Sequence, residues 1–150
     1  MKTLKELSDL NEIQELRYKF AKALDNQDWN LFQSLLNDKL DIDYSNFGIP
    51  QAEMTNQDYT AMMQHSFSTN GLKTEHFVTN MLIDIQDKSA KAEVNVLARH
   101  IVDHDDKEYT LDVNAYYEDE FIETDKGWKF NAIKINPRWI TGDPSKIFTF

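Results

Sequence analysis

Four side chains suited to proton transfer are spread along the chain: Asp25, Tyr44, His76 and His100. A carboxylate that accepts a hydrogen bond from an imidazole fixes the tautomer of the ring and raises its basicity, which prepares a general base. We expect Asp25 to pair with His100, while His76 and Tyr44 act on the other end of a bound molecule.

These residue types suit the elimination of water from a β-hydroxy carbonyl compound. That reaction needs a base for the α-proton, an acid for the departing hydroxide and a hydrogen-bond donor to the carbonyl oxygen. We assign proton transfer to His100, oriented by Asp25, together with His76, and carbonyl binding to Tyr44 or a water held by it. The residues leave open which imidazole is the acid. The reaction needs no metal or other cofactor, and single ligands on separate elements are a weak signal for zinc.

The periodicity of the strands predicts which of these groups face the interior. Alanine and valine alternate with polar residues from Ala90 to Ala98, so His100 falls in phase with the apolar set. Tyr117 is likewise in phase with its apolar neighbours on the next strand. Small residues on an inner face leave room for a ligand, so both side chains are expected to face a pocket.

The direction of His76 is less defined by this pattern. His76 shares a face with Val78 and Leu82, but the opposite face is also apolar, since it carries Phe77, Met81, Ile83 and Ile85. A strand that is apolar on both faces is expected if helices cover one side and a second subunit covers the other.

Three helices precede this predicted sheet. Apolar residues recur at spacings of three and four from Leu10 to Leu24, behind the capping candidates Ser8 and Asp9, and predict a helix that ends near Asp25. Asp28 is expected to cap a second helix, and Thr55 a third, with a short strand "LDIDYS" between them.

From Gly71 onward the period changes to two. Strands are predicted at 73–86, 89–104, 109–123 and 127–139, separated by the turns "QDKS", "HDDKE" and "TDKG". Helices before a meander of long strands indicate an α+β domain, in which a curved, mostly antiparallel sheet wraps around the helices and encloses a pocket.

Length and composition limit the classes of protein that are possible. The 150 residues fit one domain, and the absence of cysteine excludes disulfides, thiolate metal sites and a cysteine nucleophile. A formal charge of −10 disfavours nucleic acid as a partner. Neither a secretory signal nor a membrane span is evident, so we expect a cytoplasmic protein.

Six segments together resemble scytalone dehydratase and its relatives in the SnoaL-like branch of the nuclear transport factor 2-like superfamily. They are "ALDNQDW", "IDYSNF", "LKTEHF", "ARH", "GWKF" and "RWITGDPSKIF". The resemblance covers nearly the whole chain and implies a cone-shaped α+β barrel. It also implies a homo-oligomer, dimer or trimer. Members of the superfamily include dehydratases, isomerases, cyclases and binding proteins, so the fold does not fix the reaction.

The resemblance implies roles for individual residues. Asp25, His100, His76 and Tyr44 match the positions to which water elimination is attributed, and Phe47 and Phe148 match pocket walls. Leu24 and Tyr117 depart from the dehydratase pattern, whereas Arg138 matches an arginine of the related bile acid dehydratases. A hydrophobic or aromatic hydroxy-carbonyl ligand of polyketide or steroid type is expected to contact Phe20, Leu24, Phe47, Met62, Tyr117, Arg138 and Phe148.

Other interpretations of these residues remain. Asp25 alone suits a solvated helix end, His100 a structural interior histidine, and Arg138 a stacking contact on an aromatic ring. His65 and His104 are expected at the surface. As functions, a double-bond isomerase that uses Asp25 as its base and a non-catalytic ligand-binding protein are the alternatives to a lyase.

Overall fold

The first helix begins earlier than the sequence pattern predicts. The computed structural model describes residues 1–150, and its α1 spans Leu4–Asp25. Thr3, not Ser8 or Asp9, is the N-cap: its side chain accepts from the Glu6 N–H, and the Glu6 carboxylate accepts from the Thr3 N–H. This reciprocal capping box satisfies two free donors at once. Asp9 is instead buried and accepts a hydrogen bond from the indole of Trp128.

The two other predicted helix caps are confirmed. Asp28 caps α2 (Trp29–Ser34) by accepting from the Leu31 N–H, and Thr55 caps α3 (Asn56–Ser66) by accepting from the Asp58 N–H. Between them lie β1 (Leu36–Tyr44), a 3₁₀ turn at Ser45–Phe47 and β2 (Ile49–Thr55). The sequence did not predict β2, because it is a mostly exposed edge strand that contains Pro50.

Four long strands complete the sheet. They are β3 (Lys73–Gln86), β4 (Ser89–His104), β5 (Lys107–Thr124) and β6 (Gly127–Gly142), and a 3₁₀ turn at Pro144–Lys146 follows. The strand order is β2-β1-β6-β5-β4-β3, and only the β1–β6 pair is parallel. The predicted α+β class, with three helices packed on a curved sheet, is therefore confirmed.

The inner face of the sheet carries the small apolar residues of β4. Ala90, Ala92, Val94, Val96 and Ala98 are all buried, as their alternation predicts. His100 and Tyr117 point to the same side and are 4% exposed each. Because the side chains on the inner face of β4 are small, they leave space between the sheet and the helices.

A β-bulge explains why β3 looks apolar on both faces. Asn80 and Met81 lie opposite one residue of β4, and Asn80 has the left-handed φ of 54°. The extra residue shifts the alternation, so Met81 and the isoleucines after it pack against the same core as Val78. The prediction that they form an opposite apolar face is therefore wrong. Phe77 still points outward, where it aligns with Leu97 and Trp139 across the sheet.

Candidate functional site

A cavity of about 430 Å³ opens between the helices and the inner face of the sheet. Of its 21 lining residues 16 are hydrophobic, which suits a small apolar molecule with few polar groups. The residues that the sequence analysis placed here and that line the cavity are Leu24, Tyr44, Phe47, Met62, His76, His100, Tyr117 and Phe148.

Asp25 pairs with His76 and not with His100. The Nδ1 atom of His76 lies 2.6 Å from Oδ1 of Asp25, and the backbone N–H of His76 donates to Oδ2 at 3.0 Å. The hydroxyl of Thr74 donates to Oδ1 at 3.0 Å. The predicted pair is wrong because the start of β3, with three donors, passes directly beside the end of α1.

These contacts hold Asp25 as a carboxylate. Burial alone would raise the pKa of Asp25, but the hydrogen bonds from the ring and backbone of His76, its charge and the Thr74 hydroxyl together lower it. With Nδ1 donating to this carboxylate, Nε2 of His76 carries the lone pair. Nε2 makes no hydrogen bond within the chain and is not sealed in the interior, so it is free to accept a proton from a molecule in the cavity.

His100 is oriented by the backbone instead. Its Nδ1 atom lies 3.0 Å from the carbonyl oxygen of Leu111, the residue paired with it on β5. A carbonyl only accepts, so Nδ1 bears the proton and Nε2 is an acceptor. Burial lowers the pKa of His100 to about 4, although the bond to Leu111 opposes this. The ring is therefore neutral near pH 7, and its centroid lies 5.8 Å from that of His76, edge to face.

Three tyrosines form a second polar group. The hydroxyls of Tyr44 and Tyr59 are 2.6 Å apart, and Tyr117 also lines the cavity. Burial raises the pKa of all three phenols, so they remain neutral donors at ordinary pH.

A buried ion pair lies behind Tyr117. The guanidinium carbon of Arg17 is 3.8 Å from the centre of the Tyr117 ring and 4.4 Å from that of Phe20. Arg17 donates through Nε and Nη2 to both oxygens of Asp119, at 3.0 and 2.5 Å. Both side chains are fully buried, and Nη1 of Arg17 has no partner.

Two predicted ligand contacts are not at the cavity. Phe20 is 1% exposed and packs against Phe32 and Phe130 in the core. Arg138 is exposed; its guanidinium lies 4.7 Å from the Tyr116 ring, outside the sheet. The stacking interpretation of Arg138 is thus correct. His65 and His104 are exposed, as predicted.

Sequence reasoning missed Arg17, Asp119 and Tyr59. A signal for the first two was present, since Arg17 is in phase with Ile13 and Phe20 on α1, and Asp119 shares the inward phase of Tyr117. Two opposite charges at inward positions predict a buried pair.

The remaining features bear on what the chain binds. No group of three or more His, Asp or Glu side chains is placed to hold a metal ion. No helix is both long and apolar enough to cross a membrane. The arrangement offers one base, one acceptor imidazole and neutral phenol donors around an apolar volume.

Comparisons with known proteins agree with this fold. The sequence profile of the SnoaL-like domain matches residues 5–134. The Kfla4162 protein of Kribbella flavida is similar, with 25% identity, a TM-score of 0.84 and coverage of 91% of this chain and 95% of that chain. A comparison with curated proteins finds no match.

Two other solved structures share the fold at lower identity. A Novosphingobium aromaticivorans DSM 12444 protein, provisionally assigned as a scytalone dehydratase, is 19% identical with a TM-score of 0.76, covering 92% of this chain and 89% of its own. The hexachlorocyclohexane dehydrochlorinase LinA-type3 of Novosphingobium barchaimii LL02 is 17% identical with a TM-score of 0.74, covering 93% of both chains.

Proposed function

Since this chain belongs to the SnoaL-like domain family of the nuclear transport factor 2-like superfamily, we propose that it is a lyase that eliminates water from a small hydroxy-carbonyl compound. One observation carries the proposal: a histidine with a free Nε2 lines an apolar cavity while its Nδ1 is held by a partly buried carboxylate. This is the arrangement of a prepared general base. The expected ligand is of polyketide or steroid type.

His76 is the base in the proposed reaction. Its Nε2 removes the α-proton, and Asp25 stabilises the resulting imidazolium. Negative charge moves to the carbonyl oxygen, which accepts a hydrogen bond from Tyr44. The carbon–oxygen bond to the hydroxyl then breaks as the carbon–carbon double bond forms. The imidazolium gives its proton to the departing hydroxide, which leaves as water and restores neutral His76.

His100 has a different part from the one that the sequence suggested. Because its Nδ1–H is bound to Leu111, a neutral His100 has no proton to give at Nε2. It is instead an acceptor for the hydroxyl of the substrate and holds that group near His76 before elimination.

The similarity to a dehydrochlorinase gives a second candidate reaction, elimination of HCl from a chlorinated hydrocarbon. The base would be the same, but chloride needs no acid to leave and the substrate has no carbonyl. The polar groups Tyr44, Tyr117 and His100 in this cavity favour an oxygen-bearing substrate. An isomerase with Asp25 as base is disfavoured, since three donors already occupy its carboxylate.

The test is incubation with cyclic β-hydroxy ketones of the tetralone and steroid types, with absorbance of the conjugated product as the readout. His76→Gln and Asp25→Asn are expected to lower the rate about a hundred- to ten-thousand-fold. His65→Gln is the matched control, because the His65 side chain is exposed and is not part of the cavity lining. Tight binding without turnover of any ketone would instead identify a ligand-binding protein, and chloride release from chlorinated cyclohexanes would identify a dehydrochlorinase.

The homo-oligomeric state and the cytoplasmic location stay predictions. The outward row of Phe77, Leu97 and Trp139 is the surface on which a subunit interface is expected, since Phe77 is 44% and Trp139 59% exposed. Size-exclusion chromatography with light scattering measures the subunit number directly.

A further inference from the structure

The pair of hydroxyls on Tyr44 and Tyr59 holds two protons but only one hydrogen bond. Their oxygens are 2.6 Å apart, so one hydroxyl donates to the other and the second proton must go elsewhere. The tyrosine whose proton is not used in this bond determines whether the cavity offers a ligand a hydrogen-bond donor at Tyr44.

Burial settles the direction of the bond. Tyr59 is 0% exposed and does not line the cavity, and its hydroxyl has no other partner than Tyr44. If Tyr44 were the donor, the proton of Tyr59 would be buried without an acceptor, which costs about 1–3 kcal/mol. Tyr44 does line the cavity, so its own proton can be used by a ligand.

Tyr59 is also held rigidly. It lies on α3, which Thr55 caps, and its ring packs on Phe32 with centroids 5.4 Å apart and on Tyr44 at 6.1 Å. A fixed donor polarises the hydroxyl that accepts from it, which strengthens the next hydrogen bond in the chain.

We propose that Tyr59 is a positioning residue that donates to Tyr44 and thereby directs the proton of Tyr44 to an acceptor oxygen of the molecule in the cavity. The site at Tyr44 therefore selects a carbonyl over an apolar group of the same shape. The role of Tyr59 rests on the proposed function for the class of ligand, a carbonyl compound, but its test needs no turnover.

The test uses naphthyl methyl ketone, labelled with ¹³C at the carbonyl, and the hydrocarbon ethylnaphthalene. The ketone is expected to bind the wild-type chain about tenfold more tightly than the hydrocarbon, with its carbonyl infrared band shifted to lower frequency. Tyr44→Phe is expected to remove both the preference and the band shift. Tyr59→Phe is expected to reduce both, because Tyr44 loses its fixed orientation and its polarisation.

The double variant distinguishes positioning from a structural role. If Tyr59 acts through Tyr44, Tyr59→Phe changes nothing further in a Tyr44→Phe background. Tyr18→Phe is the control, because Tyr18 is an exposed tyrosine on α1. An effect of Tyr59→Phe that persists without the Tyr44 hydroxyl would overturn the proposal, as would a wild-type chain that binds ketone no better than hydrocarbon.

The two proposals fail separately. A band shift that depends on Tyr59, without loss of water from any hydroxy ketone, leaves the role of Tyr59 intact and removes the lyase assignment. If the chain eliminates water but Tyr59→Phe leaves the carbonyl infrared band unchanged, the lyase assignment stands and the role of Tyr59 is removed.

Discussion

The ring of His76 and the carboxylate of Asp25 lie 2.6 Å apart although they are 51 positions apart in the chain. The backbone N–H of the same histidine also donates to this carboxylate, so Asp25 holds both the strand and the ring. The carboxylate at the helix C-terminus, which the helix dipole disfavours, is thereby compensated by three donors.

A graded series of variants tests how Asp25 acts. Thr74→Val removes one of its donors but keeps its charge, so the rate of elimination should fall less than about tenfold. Asp25→Asn removes the charge and changes the preferred tautomer of His76. The rate of elimination should therefore fall at least ten times further than in Thr74→Val. Steady-state kinetics on both variants measures this, and equal losses in the two would contradict the role of the carboxylate as the partner of the base.

Acid should destabilise the fold through His100. Burial lowers its pKa from 6.5 to about 4, so between these pH values the unfolded chain binds a proton that the folded chain does not. The free energy of unfolding therefore falls as the pH falls through this window, by roughly 3 kcal/mol in full, and is unaffected by this group above about pH 7.

Urea denaturation of the wild type and of His100→Gln at several pH values measures this contribution. Glutamine cannot gain the proton, so the variant should lose less stability between pH 7 and about 4.5 than the wild type does. The lowered pKa of Asp25 acts only in more acidic solution, because its ordinary value is already 3.8. Parallel curves for the two proteins would show that His100 is not responsible.

Filling the cavity should abolish binding at little cost in stability. Ala98 lines the cavity, so in Ala98→Leu the larger side chain enters open volume. Binding of the naphthyl ketone should weaken by at least about tenfold while the free energy of unfolding changes by less than about 1 kcal/mol. Ala115→Leu is the control: Ala115 is 2% exposed but not at the cavity, and overpacking there should cost about 1–3 kcal/mol. Equal stability losses in the two variants would mean that the cavity is filled in solution.

The Arg17–Asp119 pair should couple strongly in stability. Arg17→Met leaves a buried carboxylate without its partner and should lower the free energy of unfolding by about 3–5 kcal/mol. The double variant Arg17→Met/Asp119→Leu removes both charges and should recover most of that loss. Guanidinium denaturation of the single and double variants gives the coupling energy, and additive losses would contradict a buried ion pair.

The sequence predicted the fold well because its signals are local. The alternation in β4 placed His100 and the small inner residues correctly, and Asp28 and Thr55 cap their helices as expected. The predicted start of α1 was wrong because Thr3 caps the helix through a capping box with Glu6, whereas Asp9 bonds to Trp128 instead. β2 was missed because an exposed edge strand has no apolar alternation to detect.

The sequence indicated which candidate side chains face the interior but not how they pair. Phase tells which side a residue faces, so His100 and Tyr117 could be assigned to the interior. The phase of a strand does not tell where along the sheet the end of α1 packs. Because the end of α1 packs beside the start of β3, Asp25 pairs with His76. The bond between Tyr44 and Tyr59 likewise depends on the docking of α3, which no local pattern encodes.

The bulge at Asn80 keeps two parts of β3 on one side of the sheet. His76 and Val78 precede it and Met81 and Ile83 follow it, and the extra residue lets all four face inward although the two pairs differ in parity. A strand of the same length paired without the bulge would turn one of these pairs out to water. The left-handed backbone of Asn80, with its φ of 54°, therefore ties the orientation of the base to that of the apolar residues further along the strand.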